Sequence, residues 1–141
     1  MAIKIREFTP GDSLLALTLW KSSEGIGLSA ADEPERIAGY LARNPGMSYT
    51  AWDGESLVGA VLCGHDGRRG YLHHLAVDRA YHGQGIGRAL VDRCHAALRA
   101  QDIDKVHIFV YRENETALSF WKGVNYVPRD TLALLSASLT E

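Results

Sequence analysis

The sequence has 141 residues, 46% of them apolar and 23% charged, with a formal net charge of -2, the length and balance of one soluble globular domain. So small a net charge argues against a nucleic-acid groove. Two cysteines, Cys63 and Cys94, make no disulfide framework, and no stretch approaches the roughly 18–20 apolar residues of a membrane span. The expectation is a single domain over residues 1–141, cytoplasmic, with no nucleic-acid and no membrane partner.

Ile3 and Ile5 alternate with Lys4 and Arg6, a first strand over residues 3–8. Thr9-Pro10 starts a helix with a hydroxyl cap followed by proline, and Leu14, Leu15, Leu17, Leu19 and Trp20 supply its apolar stripe. Gly25-Ile26-Gly27 breaks it. A second helix runs from about Glu33 to Arg43 and stops at Asn44-Pro45-Gly46. Met47–Trp52 and Ser56–Cys63 are strands joined by the hairpin signal Asp53-Gly54, and Tyr71–Val77 is a third strand of this meander. Residues 85–100 have helical periodicity. Lys105–Tyr111 is a strand, residues 114–122 a helix, and 124–127 and 131–139 two closing strands. The order β-α-α-β-β-β-α-β-α-β-β predicts an α+β fold with a mixed, mostly antiparallel sheet flanked by helices.

The informative stretch follows the third meander strand. Leu75-Ala76-Val77 runs into a loop, His82-Gly83-Gln84-Gly85-Ile86-Gly87-Arg88, that opens a long amphipathic helix. Glycines let backbone N–H groups turn inward with no side chain in the way, and the helix end adds about half a positive charge. Together they suit a phosphate or pyrophosphate. A dinucleotide fingerprint needs Gly-x-Gly-x-x-Gly, and it fails in both registers, at Arg88 and at Leu90. A nucleotide P-loop needs Gly-Lys-Ser/Thr, and Gly87-Arg88-Ala89 does not supply it. The plain alternative is a turn that serves only helix packing.

This loop, at a strand-to-helix turn, resembles the acetyl-CoA-binding motif of the GNAT superfamily of N-acetyltransferases. Asn114-Glu115-Thr116-Ala117-Leu118-Ser119-Phe120-Trp121-Lys122-Gly123-Val124-Asn125-Tyr126 resembles the superfamily's second segment, Asn-x-x-Ala-x-x-x-Tyr-x-x-x-Gly-Phe. The element order is similar too, so the resemblance covers nearly the whole chain. It is greatest to small single-domain bacterial members of the YpeA-like branch. It implies acetyl-CoA as co-substrate, without a metal, and transfer of the acetyl group to a primary amine by direct attack. It also implies that backbone groups of Leu75 and Val77 pair with the pantetheine arm. The N–H groups from Gly83 to Arg88 hold the pyrophosphate, and Asn114 belongs to the cofactor set. A backbone N–H near Leu75 or Ala76 would polarise the thioester carbonyl.

Three positions depart from the pattern. His82 replaces an arginine or glutamine and lacks a permanent charge. Trp121 stands where the family places a tyrosine that protonates the leaving thiolate. Indole is a donor and no usable acid, so a slower turnover is expected. Asn125 replaces a helix-ending glycine and is the next best residue in that left-handed position. Trp121 and His82 together motivate an alternative, an acyl-CoA-binding or regulatory domain with little catalysis.

Attack by an amine needs a proton acceptor. On Tyr71-Leu72-His73-His74-Leu75, strand alternation puts Tyr71 and His73 on one face and His74 on the other. A pair of histidines occupies the Tyr71 and His73 positions in the arylalkylamine branch, which makes His73 the candidate base with Tyr71 beside it. The alternative for His73 is a satisfied histidine in a sheet, and His74 reads as structural. The run Asp32-Glu33-Glu35 reads as a solvated helix start, though it suits a cationic acceptor. His65, Asp66, His73 and His74 lack a zinc spacing, so no metal is expected. Arg79, Arg88, Arg93 and Arg112 could meet the CoA 3′-phosphate or be ordinary surface charge. The acceptor, a small-molecule or peptide amine, and the oligomeric state, a possible homodimer, are not written in the sequence.

Overall fold

In the computed structural model, which describes residues 2–140, the elements follow one another as β1 (Ile3–Glu7), α1 (Ser13–Lys21), α2 (Pro34–Arg43), β2 (Tyr49–Asp53), β3 (Ser56–His65), β4 (Gly70–Val77), α3 (Ile86–Ala100), β5 (Val106–His107) and α4 (Glu115–Gly123). The first capping signal is realised one turn early. Thr9 and Asp12 form a capping box around a single 3-10 turn, with the Thr9 N–H donating to Asp12 Oδ2 at 2.9 Å, and α1 continues from it. The chain divides into two units, Met1–Phe109 and Val110–Glu141.

The first unit is a five-stranded sheet in the order β1-β2-β3-β4-β5, antiparallel except for the β4–β5 pair. β3 is buried on both faces, which explains its nearly unbroken run of small and apolar residues. Its even-numbered residues Ala60 and Leu62 pack with Phe8, Ala16, Leu19, Trp20, Ile37 and Leu41 of the α1–α2 side. On the other side, α3 packs against β2, β3 and β4. Fully burying a side chain such as Ile37, Leu90 or Val61 contributes about 1.5–3 kcal/mol, so both layers hold the sheet. Cys63 of β3 and Cys94 of α3 are buried free thiols at this second interface. A hydrogen bond with Cys63, together with burial, pushes the Cys94 thiol far up.

The second unit is α4 and its flanks. Asn114 caps α4 by accepting the Ala117 N–H at 3.1 Å. The helix ends as its sequence promised: Asn125 is left-handed (φ 74°), and the Tyr126 N–H donates back to the Trp121 carbonyl at 2.9 Å. Trp121 packs edge-on against Phe120 and Tyr126, at 5.2 and 4.8 Å between ring centroids.

The two closing strands expected over 124–127 and 131–139 are not strands here, and the expected 105–111 strand shortens to Val106–His107. An apolar run becomes a strand only when its backbone closes a ladder with a neighbour. Residues 126–140 close none, and Val127, Leu132, Leu134, Leu135 and Leu139 remain exposed. No helix among the described residues is long and apolar enough to cross a membrane.

Candidate active site

β4 carries the local irregularity on which the site is built. Opposite β3, Leu62 pairs with His73 and Ala60 with Ala76, so one residue of β3 faces two of β4. The extra residue makes a β-bulge, and His74 takes the left-handed conformation (φ 57°) to form it. The bulge shifts the side-chain alternation by one. Leu62 and Ala60 both face α1 and α2, so their partners His73 and Ala76 do too, although they are three apart.

His74 follows them. Its ring lies 5.1 Å from that of Trp20 on α1 and 6.4 Å from that of His73. The expectation that His73 and His74 point to opposite faces is therefore overturned: the bulge brings both imidazoles to one face. His74 Nε2 lies 2.8 Å from Asp32 Oδ1. Asp32 is buried and closes a capping box at the turn before α2, its Oδ2 accepting the Ser29 N–H at 3.0 Å. The acidic run is thus split. Glu33 and Glu35 are solvent-exposed, and Asp32 is not.

His73 is the centre of a ring cluster. Tyr71 stacks on it at 6.4 Å with the planes 6° apart, Phe109 stacks at 6.4 Å, and Tyr40 of α2 meets it edge-on at 6.1 Å. His107 of β5 closes on Tyr71 at 5.8 Å. Burial, with His74 adding to it, holds the His73 imidazole below its ordinary value, so it is the neutral, proton-accepting form that this cluster favours near neutral pH. Burial also pushes the Tyr40 phenol up, which keeps it a donor. Trp20, from the apolar stripe of α1, is fully buried between Phe8 and His74 and forms the floor beneath the imidazole.

β5 pairs with β4 only at Gly70–Val106 and Tyr71–His107. Beyond that point the β5-side edge of β4, through Leu75, Ala76 and Val77, has no strand partner among the described residues. That edge leads into the glycine loop. Gly83 and Gly85 have φ of 79° and 80°, and a Cβ added at either meets nothing within 4 Å. Their freedom from side chains therefore serves the backbone conformation and the open space in front of it. Gly85 is the N-cap of α3, and the first helical hydrogen bond runs from the Ala89 N–H to the Gly85 carbonyl at 3.0 Å. The N–H groups of Ile86 and Gly87 thus have no acceptor inside the helix.

The loop is pinned from both sides. The Tyr81 hydroxyl donates to Asp53 Oδ2 at 2.6 Å, which raises the Tyr81 phenol above its usual range. His82 Nε2 donates to the Val77 carbonyl at 2.7 Å. His82 therefore braces the loop against the end of β4. The hydrogen bond is the first sign of what a histidine does in place of arginine. Arg93, one candidate for a phosphate contact, instead reaches back to the Ile5 carbonyl at 3.5 Å and lies over the Tyr49 ring. Gln84 and Arg88 are solvent-exposed. Among the described residues no group of three His, Cys, Asp or Glu side chains is placed to hold a metal ion.

The bulge, with the Asp32–His74 pair it creates, is what the sequence reading missed. The one available signal was weak: histidine is among the few non-glycine residues that tolerate a left-handed backbone.

Known proteins are similar to this chain in sequence and in fold. An acetyltransferase of Sodalis glossinidius is 30% identical over 99% of this chain and 97% of its own. One of Pectobacterium atrosepticum is 29% identical over 94% and 93%. Among solved structures, Ard1 of Thermoplasma volcanium superposes with a TM-score of 0.79 at 23% identity, covering 90% of this chain and 84% of that one. The PaiA N-acetyltransferase of Thermoplasma acidophilum, solved in complex with coenzyme A, superposes with a TM-score of 0.78 at 18% identity, covering 88% and 89%. Residues 14–126 match the model of the acetyltransferase (GNAT) family, and with these relatives they place the chain in that family as an acyltransferase of the N-acetyltransferase type.

Proposed function

We propose that this protein transfers the acetyl group of acetyl-CoA to a primary amine by direct attack on the thioester. The observation that carries the reading is the continuity of the open β4 edge with the uncapped amides of the α3 tip, beside the His73 cluster. An extended amide chain such as pantetheine can pair with the free edge at Leu75 and Val77, as another strand would. The tip from Gly83 to Arg88, with Gln84, Ile86 and Gly87 between, suits the diphosphate. A backbone N–H at Leu75 or Ala76 supports charge on the thioester oxygen. Positioning the amine against the carbonyl then supplies much of the rate.

His73 is the base. Its ring is held by Tyr71 and Tyr40, and the surroundings favour its neutral form. It takes a proton from the nitrogen as the C–N bond forms and the C–S bond breaks. Trp121 and Asn114 enter through the second family motif alone. Trp121 donates its indole N–H to the departing sulfur without giving up the proton, and Asn114, besides capping α4, contributes to the cofactor side. The acceptor is a small-molecule or peptide amine.

The test is thiol release from acetyl-CoA with a panel of primary amines, beside calorimetric titration with acetyl-CoA alone. The reading expects saturable acetyl-CoA binding and amine-dependent thiol release. Absence of thiol release with every amine overturns it.

A further inference from the structure

Acetylating an ammonium group removes two protons from one nitrogen, one before attack and one as the amide forms. A primary ammonium with an ordinary pKa of about 10 is almost wholly protonated at pH 7, so the first loss is as demanding as the second. His73 can serve only one of them at a time. The β4 bulge sets a second imidazole beside it, on the same face, with a buried carboxylate behind it. We propose that His74, oriented by Asp32, is the proton acceptor that discharges the incoming ammonium group, leaving His73 to serve the attack. The inference rests on the acetyl-transfer reading above.

The geometry supports a defined role for each atom. The Asp32 carboxylate only accepts, so the hydrogen shared across the 2.8 Å contact is carried by His74 Nε2. Its other oxygen is engaged by the Ser29 N–H, which fixes the carboxylate in place. His74 Nδ1 is therefore the nitrogen left with a lone pair. The Trp20 ring against the imidazole holds its plane. Both partners are largely enclosed, with side-chain exposures of 19% for His74 and 9% for Asp32, so the carboxylate is a close counter-charge once the imidazole is charged. The titratable group beside the pair is His73 on β4, which in turn contacts Tyr71 on β4 and Tyr40 on α2, with His107 of β5 one ring further out against Tyr71; α1 contributes Trp20, which does not titrate.

The proton balance closes. The ammonium gives one proton to His74 Nδ1. The neutral amine forms the C–N bond, and its second proton passes to His73. The C–S bond breaks and CoA leaves as the thiolate, which recovers one proton, and the other goes to solvent. Asp32 acts through His74 and is a positioning residue.

The experiment uses the fastest amine of the panel and follows kcat/KM from pH 6.5 to 9.5 for wild type, His74→Asn, Asp32→Asn and the double variant, with circular dichroism as a folding control. Asparagine suits the left-handed backbone at position 74. In Asp32→Asn the amide oxygen stays with the Ser29 N–H and its NH2 turns to His74, which forces the wrong tautomer. Each single variant is expected to lose about 100-fold at pH 7. The loss should shrink roughly tenfold per pH unit as solvent takes over the deprotonation, and the double variant should lose no more than either single one. His73→Gln should keep its deficit at high pH. A deficit independent of pH, no deficit at all, or additive single effects would overturn the assignment while leaving acetyl transfer standing. If wild type releases no thiol with any amine, acetyl transfer itself fails, and this inference with it.

Discussion

The α3 tip and the β4 bulge are both built on left-handed residues, and they use them in opposite ways. At the tip, Gly83 and Gly85 adopt φ near 80°, and a side chain added at either would stand in open space. At the bulge, His74 adopts φ 57° so that its side chain changes faces and meets Asp32. In the proposed function the first device makes a site from amides and needs residues with nothing to offer. The second needs a residue whose side chain is the purpose. A non-glycine residue there costs of order 1 kcal/mol or more, which the Asp32 pair and the Trp20 contact offset.

The comparison breaks most readily at the side-chain end. His73→Gln is expected to lower kcat by about 10²–10⁴-fold while acetyl-CoA affinity holds, because the proposed role of the side chain is proton transfer and not cofactor binding. Burial disfavours the charged imidazole, so its folded-state value lies below the ordinary 6.5 or so. The neutral base then persists to lower pH than usual, and the acid limb of the wild-type kcat profile should fall below that value. The His73→Gln variant should lose that limb. The same depression has a stability consequence. The unfolded chain binds the proton first, so the contribution of neutral His73 is present above about pH 6.5 and is lost as pH falls below it. A low-pH limb that persists unchanged in His73→Gln would remove His73 as the base.

At the backbone end, the paired change Gly83→Ala with Gly85→Ala should weaken acetyl-CoA binding about 100-fold by calorimetry. The added methyl groups meet no protein atom, so core packing is untouched. What they do is strain two left-handed residues, by roughly 1–2 kcal/mol each, and stand where the diphosphate must approach. A loop that serves only helix packing would instead lose melting temperature and keep its affinity.

This division also explains what could be read in advance. Glycines at alternate positions before an amphipathic helix announce a left-handed turn onto a helix tip, and Gly83 and Gly85 adopt it. The failed dinucleotide register excluded one ligand by sequence alone. The strand meander, its crossover into α3 and the Asn125 helix end were legible for the same reason: each rests on local periodicity or a local conformational preference. His74 was not legible. Alternation predicts its face correctly for an unbroken strand, and the bulge appears only in the pairing of β4 with β3, a partner distant from His74 in the local pattern. Asp32 was misread because an acid at a helix start is ordinarily solvated, and only the tertiary fold brings β4 over it. The chain after α4 failed in the other direction. Its apolar runs look like strands, but pairing is not a property of the run itself.

Asn125 sharpens the contrast with the smallest effect. It is left-handed like Gly85, yet it does a purely conformational job: it ends α4, with its N–H donating to the Lys122 carbonyl at 3.0 Å and the next N–H returning to Trp121. Asn125→Ala should therefore cost about 1 kcal/mol, measured by denaturant unfolding, and Asn125→Gly should change stability by only a few tenths, in the stabilising direction. The two glycine-loop substitutions provide the control on what that number means. If a methyl group at Gly85 acts through strain alone, its effects should match those of Asn125→Ala: a modest loss of stability and nothing more. If the tip is a ligand site, Gly85→Ala should cost binding well beyond what the shared strain accounts for, and that surplus measures how closely a diphosphate approaches the backbone.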